Sequence, residues 1–401
     1  MRLLFVHEVN WRAKVVYEIH DYPELLSLAG HEVVFIDFPE GETRRGFSRF
    51  LDLRTRVRKG QTRAHEGSSV EVRTPGRVLP APFDRLLASF THAPAIWRAL
   101  KHENFDAVIL YGAPTNGWQT VWIANRLGVP VIFRAIDVAH VLRKSIFKPL
   151  IKQVENYIYR SVDHVSANNV ALREYCVRHG ADPSTTTVQY PGLDLKRFSP
   201  GERDPNLLKR YNLEPHHQVV MFMGTLYRFA GLEVFIILFA DFLRSNSNVR
   251  LVILGGGEFD LKIRHLVVNL NLQDRVIMPG FIDYDELPAH LGLATVAINP
   301  FEPSTVTNCA LPWKVVQYLA CALPVICTPL DGLRGLVADG NGITYRNLDR
   351  SFTDAVINLL SDDAARITQQ SRARAAIETA CNWDSCLKQF TDMITDCVDA
   401  S

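Results

Sequence analysis

A chain of 401 residues is longer than one typical domain and suits two domains of roughly 150–200 residues, each able to bury its own core. With 47% hydrophobic and 22% charged residues it has the composition of a soluble globular protein. Its net charge of +1 argues against a general nucleic-acid binder, because such binding rests on a broad excess of Lys and Arg. The seven cysteines form no C-x-x-C pair, which speaks against a zinc site or a disulfide framework and for reduced thiols in a cytosolic protein. The apolar run Leu3–Val6 stops at His7, so it suits a first strand and not a secretory leader. The most apolar segment, Val234–Ala240, lies between Glu233 and Asp241 and is far shorter than the ~20 residues of a spanning helix.

Taken in chain order, short β-branched runs alternate with helical patterns, the signature of doubly wound parallel sheets covered by helices. In the first half, strands are expected at Arg2–Val6, Glu32–Phe35, Ala107–Leu110, Val131–Phe133 and His164–Ala167, with Thr187–Val188 as a short last one. Helices are expected at Val16–Ala29, Ala93–His102 and Ile146–Ser161. Between Arg44 and Arg63, eight basic residues stand against the single acid Asp52, with Phe47, Phe50, Leu51, Leu53 and Val57 interleaved. That segment reads either as a solvated surface or as a contact for anionic lipid head groups. The polar stretch Phe198–Pro205 has linker chemistry, so domains are expected at 1–198 and 199–378, followed by a C-terminal helical segment, 379–401. In the second half, strands are expected at Val219–Met223, Val249–Leu254, Val276–Met278, Val296–Ile298 and Val325–Cys327. The helices between them are Leu232–Arg244, Asp260–Asn269, Asp285–Leu291 and Trp313–Ala322.

Several of the strand ends could carry chemistry. Thr307-Asn308-Cys309-Ala310-Leu311-Pro312-Trp313-Lys314 is a polar loop running into a helix whose first free N–H groups, at Trp313 and Lys314, would attract an anion. An ordinary helix end facing water has the same pattern. Gly224–Gly231 is a glycine-bounded strand-to-helix turn with Arg228 as its only cation; it lacks both the Walker ending and the G-x-G-x-x-G spacing. Leu254-Gly255-Gly256-Gly257-Glu258 and Met278-Pro279-Gly280-Phe281-Ile282 are two further permissive strand ends that could line the same crevice. In the first half, His7, Asn10 and Trp11 follow the first strand, and Arg134, Asp137 and His140 follow Val131–Phe133, where they could orient hydroxyls and exchange protons. Asp283-Tyr284-Asp285-Glu286 reads as helix capping before it reads as a metal site.

In series, Ala29–Val33, Tyr190–Pro200, Gly224–Gly231, Leu254–Glu258, Arg275–Gly280 and Leu311–Pro324 resemble the family 4 retaining glycosyltransferases of the GT-B fold, over essentially the whole chain. The resemblance implies two Rossmann-like domains facing across a cleft, with the last helix crossing back to the first domain. It implies a nucleotide-sugar donor on the second domain and a glycan or lipid-linked acceptor on the first, with no metal cofactor and a cytoplasmic, membrane-associated setting. By position, the base would lie at Phe281 and Ile282, the ribose near Gln317, and the diphosphate against Trp313, Lys314 and Arg228. Gly224, Thr225, Gly256, Glu258, Thr307, Asn308, Cys309 and Leu311 would complete the donor site. His7, Asn10, Trp11 and Arg134 would meet the acceptor, while Arg228, Asp137 and His140 would carry the chemistry. Thr225 and Ala230 stand where the family has Arg and Lys, and Cys309 and Gln317 where it has a pair of glutamates. These departures leave open a degenerate homologue that binds a nucleotide-sugar or a partner enzyme without turnover.

Overall fold

The computed structural model describes residues 1–40, 51–79, 83–85, 87–142 and 147–401. The chain divides into two compact units, Met1–Pro191 with Asp384–Ser401, and Gly192–Trp383. In chain order the strands of the first unit are β1 (Arg2–Val6), β2 (Glu32–Ile36), β3 (Leu51–Asp52), β4 (Arg56–Gln61), β5 (Val70–Thr74), β6 (Arg77–Val78), β7 (Ala107–Leu110), β8 (Val131–Ala135), β9 (His164–Ala167) and β10 (Thr186–Val188). Eight of them form one sheet in the order β10-β9-β8-β7-β1-β2-β5-β4, parallel except for the edge strand β4; β3 and β6 pair separately. The second unit holds β11 (Gln218–Met223), β12 (Val249–Leu254), β13 (Val276–Gly280), β14 (Val296–Asn299), β15 (Val325–Cys327) and β16 (Ile343–Tyr345). Their all-parallel order, β13-β12-β11-β14-β15-β16, is that of a doubly wound nucleotide-binding sheet.

Strands such as Leu3–Val6, Ala107–Leu110 and Val219–Met223 are buried along their whole length, because helices cover both faces of a parallel sheet. That is why they read as unbroken apolar runs. Strand β4 does not: Arg56, Arg58 and Lys59 stand among Val57, Gly60 and Gln61 at the exposed edge of the sheet, where charge protects unpaired backbone. Sequence reasoning missed it, together with β5, β16 and helix Gly117–Leu127. Of the basic segment, Arg44, Arg45, Arg49, Phe47 and Phe50 lie outside the described residues. Arg63 spends its guanidinium on the carbonyls of Trp11, Arg12 and Lys14.

The units divide earlier than the proline-rich stretch suggests. Leu193 N–H donates to Cys381 O at 2.7 Å, Phe198 is fully buried, and Arg374 clamps the carbonyls of Leu195, Phe198 and Ala320. These contacts draw residues 192–200 into the second unit. The last helix, Trp383–Asp399, packs in the first unit, where Phe390 lies 4.2 Å from the Tyr22 ring and Cys386 O accepts from Gln189.

The first unit buries an ion pair in its core. The Arg134 guanidinium holds both carboxylate oxygens of Glu18 at 2.9 Å, donates to Ser166 Oγ and Gln189 O, and lies over the Tyr22 ring. Removing one charge of such a pair strands the other in a low-dielectric interior, so Glu18→Gln should cost about 3–5 kcal/mol in urea unfolding, and Glu18→Gln/Arg134→Met should regain part of it. If Glu18→Gln is as stable as the parent chain, the pair does not hold this core together.

Candidate functional site

In the second unit three loops at the carboxyl edge of the sheet meet backbone to backbone. Gly224 N–H donates to Leu254 O, Gly255 N–H to Gly280 O, and Leu226 N–H to Gly256 O, at 2.7–2.9 Å. The glycines make this approach possible. A Cβ on Gly255 would stand 2.1 Å from Gly224 O, and Gly255 also has φ +129°, a left-handed backbone that side chains disfavour. Gly256 faces the ring of Phe281, which is exposed, with Ile282 half-buried beside it. Thr225 and Glu258 are exposed at the mouths of the first two loops.

Lys314 reaches into this group from the helix Trp313–Ala320. Its Nζ lies 4.0 Å from the Phe222 ring centroid and 4.5 Å from that of Phe301, against the space a Cβ would take on Gly224. Burial lowers the Lys314 ammonium to about 7. Among the described residues it has no carboxylate partner; the aromatic faces are what attract its charge. Pro312 serves as the N-cap and not as the first helical residue, so the N–H groups of Trp313 and Lys314 open the helix. No hydrogen bond is recorded to either of them among the described residues. A cation and free helix-end donors together form an anion site.

The remaining second-unit candidates divide. Thr307 is fully buried, and its hydroxyl closes the capping box of helix Thr305–Cys309 by donating to Glu302 O and accepting from Ser304 N–H. Its role here is to hold the loop. Asn308 has a buried Oδ1 without a partner, which leaves an acceptor for a ligand. Cys309 and Leu311 are buried in packing, and Gln317 is buried on the helix that carries Lys314. Arg228 faces solvent in a short 3₁₀ turn whose flanking residues Tyr227 and Phe229 stack on each other, while Ala230 beside it is buried. Asp285 and Glu286 pair with Arg197 and Arg210 at the surface.

In the first unit, two expected acceptor residues are corrected. Trp11 is fully buried between His20 and Phe35, with ring centroids 4.7 Å from each, and Arg134 is committed to Glu18; both are core residues. Asn10 Oδ1 accepts from the N–H groups of Arg12 and Ala13 and so shapes the loop. His7 bonds the Tyr17 hydroxyl through Nε2 at 3.2 Å and stacks on Tyr111. Asp137 follows the end of β8, where burial of its carboxyl, with the Glu18 charge adding, pushes it up to about 7.

Sequence reasoning missed the partner of His140. Glu155, buried in helix Lys148–Ser161, meets His140 Nδ1 at 2.5 Å through Oε2, and burial drives the imidazole down and the carboxyl up. Both groups are thereby pushed toward their neutral forms. A protonated Glu155 donates to Nδ1 and leaves Nε2 carrying the proton; once ionised, Glu155 accepts from Nδ1–H and frees Nε2 as a base. The pair is separated in sequence by helix ends that no local pattern links. Lys314 Nζ was missed for the same reason, since Gly224, Phe222 and Phe301 lie on other elements.

Residues 217–362 match the family model for glycosyl transferases group 1, and residues 11–192 match the glycosyl transferase 4-like domain. The chain belongs to the group 1 glycosyltransferases, enzymes of the GT-B fold. It is 28% identical over 321 residues to D-inositol 3-phosphate glycosyltransferase of Kineococcus radiotolerans, covering 74% of this chain and 72% of that protein. Its likeness to the same-named enzyme of Acidothermus cellulolyticus is 25% over 356 residues, covering 84% and 78%. Among solved structures, sucrose-phosphate synthase of Thermosynechococcus elongatus aligns over both whole chains with TM-score 0.78 at 18% identity. HepE of Anabaena, in complex with UDP, aligns over 99% of this chain and 100% of its own with TM-score 0.72 at 16% identity.

If the carboxyl–imidazole pair meets the acceptor, turnover depends on pH in a definite direction. Raising the pH through the titration of Glu155 converts Nε2 of His140 from donor to acceptor, so an Nε2 that orients the acceptor hydroxyl by accepting its hydrogen bond gives an activity limb that rises with pH. Glu155→Gln should remove that limb while leaving KM for the donor within about twofold. An unchanged pH profile in this variant means that Glu155 does not act through His140.

Proposed function

We propose that this enzyme moves a sugar from a nucleotide-sugar, with retention at the anomeric carbon, to a glycan or lipid-linked acceptor in cell-envelope or polysaccharide synthesis at the cytosolic face of a membrane. The observation that carries this reading is Lys314: an ammonium without a carboxylate partner among the described residues, held by two aromatic rings beside a helix N-terminus and the Gly224 turn. A diphosphate supplies the missing charge. The second unit then binds the donor, with the base on Phe281 and Ile282, the ribose near Gln317, and the phosphates on Lys314, the Trp313 N–H and Arg228. Asn308, Gly224, Thr225, Gly256 and Glu258 border it. In this reading Lys314 supplies the cation that Thr225 and Ala230 do not, and no metal ion is needed.

As the glycosidic C–O bond to phosphate breaks, the bond to the acceptor oxygen forms on the same face and the acceptor proton passes to the departing diphosphate. Donors fixed beforehand stabilise the growing charge at no cost of reorganisation. On the first unit His7, Asn10, Asp137 and His140 bind and orient the acceptor hydroxyl. The basic segment 44–63 is proposed as one contact with anionic lipid. UDP is the first nucleotide to test, since HepE was solved with UDP and with UDP-glucose.

Calorimetric titration with UDP, GDP and ADP, with and without magnesium, tests this. One nucleotide should bind in a metal-independent way, and Lys314→Met and Arg228→Ala should each weaken it by about 1.5–3 kcal/mol. The sign with pH follows from Lys314. Below about 7 its ammonium is already charged; above, binding must recruit a proton, so affinity should fall up to about tenfold per pH unit. Affinity that stays flat above neutral pH removes Lys314 from the diphosphate site, and binding of none of the three nucleotides overturns the donor reading.

A further inference from the structure

Three helices of the first unit, Ser89–His102, Gly117–Leu127 and Lys148–Ser161, lie side by side. Gln119 Nε2 donates to Ser89 Oγ at 2.7 Å, Gly117 packs against Ile158, and Asn125 Nδ2 donates to Ser161 O. Their outward side is unusual on two counts. It exposes large apolar side chains: Phe90 at 67%, Trp122 at 49% and Trp118 at 42%, with Leu150 and Tyr157 on the third helix. Its charge is of one sign. Arg98, Lys101, Arg126, Lys148, Lys152 and Arg160 are all exposed, and the single acid in the three helices, Glu155, is buried.

On the first two helices the spacing makes this a face. Trp118, Trp122 and Arg126 recur every fourth residue, and Phe90, Trp97 and Lys101 fall on one side of their helix. Arg126 lies over the Trp122 ring at 5.6 Å and Lys101 over Trp97 at 5.8 Å, so cations and rings are presented together. Tryptophan and tyrosine favour the head-group level of a bilayer, Phe and Leu reach the acyl boundary, and Lys and Arg extend to lipid phosphates. A second copy of this chain is a poor occupant, since it would set six cations against six.

We propose that this three-helix face docks on an anionic lipid bilayer, with Phe90, Trp118, Trp122 and Leu150 entering the interface and the surrounding cations meeting lipid phosphates. The contact uses residues other than those of segment 44–63 and needs no assumption about the donor site.

Vesicle co-sedimentation of the full chain tests it, using phosphatidylcholine with and without phosphatidylglycerol. The parent chain should bind the anionic vesicles, release them as salt rises, and bind pure phosphatidylcholine weakly. Trp118→Ala/Trp122→Ala and Lys148→Gln/Lys152→Gln should each lower partition by about tenfold or more. Circular dichroism and nucleotide titration of the same variants establish that they are folded, and a failed nucleotide site leaves the vesicle result standing on its own. Equal partition of parent and variants overturns the proposal, as does loss of binding only when the arginines of 44–63 are neutralised. A parent dimer that becomes monomeric in Trp118→Ala/Trp122→Ala would instead make the face a self-interface.

Discussion

The second unit depends on a close approach of backbones that only glycine permits. Gly255 stands where a Cβ would meet Gly224 O, and across that gap the loops after β11 and β12 and the end of β13 share hydrogen bonds. This contact sets where Phe281 stands and leaves room beside Gly224 for the end of Lys314. Without it, the strands would still pair but their loops would splay, and the aromatic bracket around the ammonium would have no floor.

The first unit uses burial differently. Its interior holds the Glu18–Arg134 pair, and burial, with the Glu18 charge as the lesser cause, raises the carboxyl of Asp137 after β8. The His140–Glu155 pair follows the same logic with two neutralised partners. Perturbed groups gathered at strand ends are the expected dress of a site that handles protons.

Net charge conceals such local design. A chain with net charge +1 carries three adjacent helices whose exposed charges are all positive, and a second unit whose most enclosed cation, Lys314, is paired with rings. Fields at a surface or a site are set by which charges face the same way, and a sum over the whole chain averages them out. Thr225 and Ala230 carry no charge in the Gly224–Gly231 turn, and the cation beside Gly224 comes from Lys314 on another element.

The apolar runs of β1, β7, β11, β12 and β15 and the glycine-bounded loops between them were enough to place two parallel α/β sheets. Burial of both faces of a parallel sheet writes that information locally, residue by residue. The charged edge strand β4, the early division at Gly192 and the core positions of Trp11 and Arg134 were not legible, because alternation, linker composition and polarity describe a residue and not its neighbours. The meetings of Lys314 with Gly224, Phe222 and Phe301, and of His140 with Glu155, were decided by tertiary structure alone. They join elements far apart in sequence, and a pKa is shifted by what surrounds a group in space.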